Sequence, residues 1–141
     1  MRKVVVDASV AAKWFVPEVH SDAAQRLLDP SMVLCAPDLI VPEVGNTIWK
    51  KVRRGEITSA EAREILGAFA AVPLELRSSS ALLVPAFEIA AALDRSVYDS
   101  LYLALAIAEG CVMVTADARF HSVLAATPFA AHVQWVADEV G

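Results

Sequence analysis

No apolar stretch in this sequence is long enough to cross a membrane. The longest, Leu101 to Ala108, falls far short of the roughly 18–20 residues that a bilayer requires. Cysteine is scarce: Cys35 and Cys111 stand apart without C-x-x-C spacing, each beside alanine or valine, and read as buried free thiols, not a disulfide framework. The three histidines, His20, His121 and His132, form no HxxxH or HExxH pair, which argues against zinc. Positive charge is also in short supply. Twelve basic residues face 17 acidic ones for a net charge of −5, which argues against a protein that coats nucleic acid through bulk charge. A local site acting on nucleic acid stays open, because bound cations offset acids where a phosphate approaches. No signal-like segment opens the chain, since Met1-Arg2-Lys3 runs straight into a strand the core needs; a cytoplasmic protein is expected.

What the chain has in abundance is apolar surface. At 141 residues, 57% hydrophobic and with a mean hydropathy of +0.50, it reads as one domain, 1–141, with enough for a full core. The surplus is expected in a subunit or partner interface. No internal repeat, low-complexity tract or linker divides the chain.

Short apolar runs at Lys3 to Val6, Met32 to Ala36, Pro73 to Arg77, Val112 to Thr115 and Val133 to Val136 read as strands. Helical patterns fall between them. They cover Ser9 to Val16, capped by the Ser9 hydroxyl, Ser21 to Asp29, about Leu39 to Arg54, and Ser59 to Ala71 behind the capping box Thr58-x-x-Glu61. Further helices cover Ser80 to Leu93, a segment capped at Ser96 to Asp99 and closed by Gly110, and Phe120 to Ala125. Pro42 is tolerable only in a first turn. Strands alternating with helices imply crossover connections, hence an α/β fold with a mostly parallel sheet covered on both faces. Ligands of such sheets bind beyond the strand carboxyl ends, where strand order reverses.

Four acids break apolar stretches where a core has no use for them. Asp7 ends Val4-Val5-Val6, and Asp117 follows Val112-Met113-Val114-Thr115. Glu43 lies in Leu39-Ile40-Val41-Pro42-Glu43-Val44, and Asp99 stands just ahead of Leu101 to Ala108. Each has an ordinary explanation. Asp99 fits a capping box with Ser96, Asp7 and Asp117 fit turns or caps after strands, and Glu43 fits a first helical turn. Taken together they mean more, because strand ends and helix starts share one side of such a sheet. Carboxylates about 4 Å apart repel by roughly 4 kcal/mol per pair at an effective dielectric of 20, so a gathered cluster calls for a cation. All-oxygen donors suit Mg²⁺ or Mn²⁺.

The segments Val4-Val5-Val6-Asp7-Ala8-Ser9, Pro42-Glu43-Val44-Gly45-Asn46, Val97-Tyr98-Asp99-Ser100-Leu101-Tyr102-Leu103-Ala104-Leu105-Ala106 and Val114-Thr115-Ala116-Asp117 resemble the four signature blocks of PIN-domain nucleases. Their order and spacing most resemble the VapC toxins of toxin–antitoxin pairs. The resemblance implies a three-layer α/β/α sandwich with a five-stranded sheet of order 3-2-1-4-5, and Mg²⁺- or Mn²⁺-dependent cleavage of RNA. It further implies Asp7 and Asp99 as principal metal ligands, with Glu43 and Asp117 as the other two acids. Ser9 matches the hydroxyl beside the first acid, Asn46 the polar residue one turn after Glu43, and Thr115 the residue that orients Asp117 or a bound water. It implies a homodimer and a cognate VapB-like antitoxin as partners.

Two features carry competing readings. Lys50, Lys51, Arg53 and Arg54 suit either RNA phosphates or the dipole at a helix end before Gly55. Trp14, Phe15, Trp49 and Phe69 read as core or interface before base-stacking platforms. A haloacid-dehalogenase-type phosphotransferase needs a second aspartate two residues after Asp7, where Ser9 stands; a receiver-like domain needs a late lysine, and none follows Lys51. A PIN-fold binding module without catalysis is the remaining alternative.

Overall fold

The computed structural model describes residues 1–138. Strands β1 (Arg2–Val6), β2 (Met32–Pro37), β3 (Leu74–Arg77), β4 (Met113–Thr115) and β5 (Val133–Trp135) form one sheet in the order β3-β2-β1-β4-β5, with every neighbouring pair parallel. This is the order that the resemblance implies. The helices are α1 (Ala8–Lys13), α2 (Ser21–Arg26), α3 (Ile40–Arg53), α4 (Ser59–Ala70), α5 (Ser79–Leu93), α6 (Val97–Glu109) and α7 (Ala118–Ala125).

β1 lies at the centre, with Val4 opposite Leu34 on one side and Val6 opposite Val114 on the other. Val4, Val5 and Val6 have no exposed surface, which is why the strand is apolar at every position instead of alternating. Burying each such side chain contributes about 1.5–3 kcal/mol. The connections β1→β2→β3 step one way across the sheet, whereas β3→β4 returns over β1. Right-handed crossovers therefore put α1 to α4 on one face and α5 with α6 on the other. Packing agrees: α1 meets α2 and α3, α3 meets α4, and α5 lies along α6. Residues Ser100 to Ala106 of α6 are all buried, so the longest apolar run is a core helix. Gly110, at φ 64°, ends it in the left-handed turn that glycine adopts freely. Among the described residues no helix is long and apolar enough to cross a membrane.

Several boundaries differ from the sequence reading. α1 is capped by Asp7, not Ser9, and ends at Lys13 instead of Val16; Trp14 turns inward, its indole N–H donating to the Ala24 carbonyl at 2.9 Å. α2 stops at Arg26, before Pro30 is reached. α7 begins at Ala118, directly after Asp117, not at Phe120. Cys35 is buried, but Cys111 only half-buried; neither is in a disulfide. Trp14 and Phe69 are core and Phe15 packs against both, whereas Trp49 is 54% exposed and so lies outside the core. The α3 period explains this: Ile40, Val44 and Ile48 turn inward, which puts residue 49 on the flank.

Candidate active site

The reversal of strand order falls between β1 and β4, and the two strands end side by side, Val6 opposite Val114. Asp7 continues β1 and its carboxylate accepts from the Val10 N–H at 3.2 Å, capping α1. Asp117 does the same for α7, accepting from the Phe120 N–H at 3.0 Å. The ordinary reading of both acids thus holds as far as one oxygen is concerned. A small bridge joins the two strand ends. The Ser9 hydroxyl donates to Asp7 Oδ1 and accepts from the Ala116 N–H at 3.1 Å, and Thr115 Oγ1 accepts from the Asp117 N–H at 3.1 Å. Thr115 is fully buried, so its hydroxyl works from inside the core.

Glu43 and Asp99 arrive from helix starts. Pro42 and Glu43 sit in the first turn of α3, where proline's missing N–H costs no helical bond. Glu43 Oε1 accepts from the Tyr102 hydroxyl of α6 at 2.6 Å. Ser96 caps α6 by accepting from the Asp99 N–H at 3.1 Å. The Asp99 carboxylate does not return to Ser96; its Oδ2 accepts from Arg95 Nη2 at 3.1 Å instead. Among the described residues, Glu43 Oε2 and Asp99 Oδ1 take no hydrogen bond.

Burial and a neighbouring acid's charge shape the titration of Asp7 and Glu43. Burial pushes Asp7 up to about 6, against stabilisation of its charge by Ser9, Thr115 and the Val10 N–H, and the charge of Asp117 pushes in the same direction. Glu43 is also raised, mainly by burial, with Asp99 adding to the rise and the Tyr102 hydrogen bond opposing it. Tyr102, buried beside Glu43, is pushed well above its ordinary range, so it stays a donor. The charges of Asp7 and Asp99 contribute to that rise, which ties all four acids into one electrostatic neighbourhood.

One residue of this neighbourhood escaped the sequence reading. Arg95 Nη2 stands 3.1 Å from Asp99 Oδ2 and 3.8 Å from Asp117 Oδ2, with its guanidinium carbon 4.6 Å from the centroid of the Phe120 ring. Arginine four residues before an acid on the same helical start was the available signal. Among the described residues, no three or more His, Cys, Asp or Glu side chains are arranged to hold a metal ion. The donor chemistry nonetheless fits a hard cation: all four acids offer oxygen only, beyond the carboxyl ends of the sheet's central strands.

The supporting positions separate. Ser9 and Thr115 join the network, whereas Asn46 is exposed on α3. Of the basic cluster, Lys51 pairs with Glu18 at 3.2 Å, Arg54 lies 3.6 Å from Glu56, and Arg53 lies over Trp49 at 5.3 Å. Lys50 is exposed.

Residues 4–124 match the PIN domain family. The chain is 38% identical over 119 residues to Ribonuclease VapC3 of Pyrobaculum aerophilum, covering 82% of this chain and 89% of the relative. It is 31% identical over 116 residues to Ribonuclease VapC9 of Mycobacterium tuberculosis, covering 82% and 87%. Among solved structures, PAE2754 from Pyrobaculum aerophilum superposes with a TM-score of 0.71 at 25% identity, covering 96% of this chain and 92% of that one. VapBC2 from Rickettsia felis, solved bound to a DNA fragment from their promoter, shares the fold with a TM-score of 0.65 at 16% identity, covering 94% and 98%. The chain belongs to the PIN-domain family, within its VapC branch.

Proposed function

We propose that this chain is a Mg²⁺- or Mn²⁺-dependent endoribonuclease and the toxin of a toxin–antitoxin pair. What supports the reading is that Asp7, Glu43, Asp99 and Asp117 stand at strand ends and helix starts around the strand-order reversal, the charge of Asp117 acting on Asp7 and that of Asp99 on Glu43, in a chain whose relatives are named VapC ribonucleases. Asp7 and Asp99 are the principal ligands, with Glu43 and Asp117 completing the donor set. A divalent cation held there lowers the pKa of a bound water and offsets charge on a phosphodiester. The chain's own residues prepare for it. Ser9 fixes Asp7 against the β4 end, Thr115 holds the Asp117 backbone, and Tyr102 orients Glu43. Asn46 stands one turn beyond Glu43 on α3, where it meets incoming RNA.

The partners follow from the same reading. A separate VapB-like antitoxin restrains the toxin in the cytoplasm; toxin–antitoxin structures among the fold neighbours support this. A homodimer is supported by Leu83, Val84 and Phe87, which α5 leaves exposed at 52%, 70% and 59%. The pairing of Arg95 with Asp99 and Asp117 favours a second reading, a PIN-fold binding module without catalysis. Incubating purified protein with an RNA panel in Mn²⁺, in EDTA, and with Asp7→Asn separates the two. The nuclease yields Mn²⁺-dependent fragments with 5′-phosphate and 3′-hydroxyl ends that Asp7→Asn abolishes; cleavage by Asp7→Asn at the wild-type rate overturns the site.

A further inference from the structure

We propose that Arg95 is a resident counter-charge that competes with a divalent cation for Asp99 and Asp117 and so sets the affinity of the site for metal. The inference rests on the cation site proposed above. Nη2 forks between Asp99 Oδ2 at 3.1 Å and Asp117 Oδ2 at 3.8 Å, the two acids that α6 and α7 bring to the rim. The position is built, not incidental. Arg95 is the middle residue of a three-residue link between helices: Asp94, at φ 54°, ends α5 in a left-handed turn, Ser96 caps α6, and the Arg95 N–H is tied to the Ala90 carbonyl at 3.3 Å. The guanidinium carbon rests 4.6 Å above Phe120, and the N–H of that same Phe120 donates to Asp117. Ring and acid thus belong to one helical turn, so the arginine and its carboxylate are positioned together.

A further observation says that the carboxylates draw the guanidinium in. Arg95 Nε is buried and, among the described residues, has no hydrogen-bond partner, so the side chain gives up one donor to reach the acids. The metal-free chain thereby tolerates its acids by supplying its own cation, and loading the site requires that cation to let go.

The sign of the effect separates this role from a merely structural one. A group that only positions ligand carboxylates weakens metal binding when removed, commonly by about ten- to a hundredfold. A competitor strengthens it. Mn²⁺ binding to wild type, Arg95→Gln and Arg95→Lys is measured by calorimetry, with thermal unfolding followed in EDTA and in Mn²⁺. Arg95→Gln is expected to bind Mn²⁺ about tenfold tighter, within the range such neighbouring groups command. Its melting temperature falls in EDTA, and its gain on adding Mn²⁺ exceeds that of wild type. Arg95→Lys, keeping the charge but not the fork, falls between. A second measurement needs no variant: Mg²⁺ titration shifts the Arg95 side-chain nitrogen resonances with the same dissociation constant as binding. Saturable binding by wild type with equal or weaker affinity in Arg95→Gln, or Arg95 resonances unmoved at Mg²⁺ saturation, overturns this inference alone. No saturable binding by wild type overturns the proposed cation site and the inference with it.

Discussion

The Tyr102 hydroxyl donates to Glu43 Oε1 at 2.6 Å, joining helices that lie on opposite faces of the sheet. Tyr102 is 3% exposed and Glu43 half-buried, so neither partner finds an easy substitute in water. Tyr102→Phe is therefore expected to cost about 1–3 kcal/mol of stability, the usual penalty for a buried acceptor deprived of its donor. It also removes the interaction that holds the Glu43 pKa down, so the acid limb of the pH–cleavage profile moves to higher pH. Urea unfolding and a pH–rate series check both; a limb that stays in place separates Glu43 from the reaction.

Asp7 gives a pH-dependent signature. Its ordinary value is 3.8 and burial raises it to about 6 in the folded chain. Between those values the folded state holds a proton that the unfolded state has lost, so metal-free stability falls as pH rises through that window. The loss from this group is on the order of 3 kcal/mol. Asp7→Asn, which cannot ionise and caps a helix as well as aspartate does, is expected to lack that part of the pH dependence and to be more stable than wild type near pH 7 in EDTA. Urea titrations of both proteins at pH 4.5 and pH 7 give the difference directly. Equal pH dependence in the two would show that Asp7 ionises without penalty.

Ser9 holds the β1 and β4 ends together through a single hydroxyl. Ser9→Ala leaves the Ala116 N–H without its acceptor and Asp7 without one of its donors, at an expected cost of about 1–3 kcal/mol. Ser9→Thr, which keeps the hydroxyl, should recover most of the stability and of the RNA cleavage. Thermal melts and cleavage rates of the pair decide it. If alanine and threonine behave alike, the bridge is dispensable.

Removing metal should act on stability as well as on activity. A ligand that binds only the folded chain stabilises by about 2.7 kcal/mol at a hundred times its dissociation constant. Mn²⁺ is therefore expected to raise the melting temperature of wild type, EDTA to reverse the shift, and Asp99→Asn to blunt it. A melting temperature indifferent to Mn²⁺ across the millimolar range argues against a carboxylate metal site.

Much of this was legible in the sequence because the informative residues interrupt patterns. Val4-Val5-Val6 and Met113-Val114-Thr115 are buried without alternation because helices cover both faces, and an aspartate at or just past the end of such a run, as at 7 and 117, stands out. Arg95 was hidden for the opposite reason. It lies in a three-residue link with no pattern to break, and its second partner, Asp117, caps another helix and is brought near only by the return of the chain to β4. The cap of α1 was misplaced because Asp7 and Ser9 both have capping chemistry, and spacing alone does not choose between them. For Trp49, read as core or interface, the Ile40, Val44, Ile48 repeat already turns residue 49 away from the core and leaves only the second of these.

Asp7 and Asp117 each spend one oxygen starting a helix, and an asparagine at either position starts that helix equally well. On the function proposed above, one conservative substitution at either place would silence the site while leaving that helix start intact. A silenced descendant would keep every surface by which a partner knows it, and would compete for that partner with its active parent.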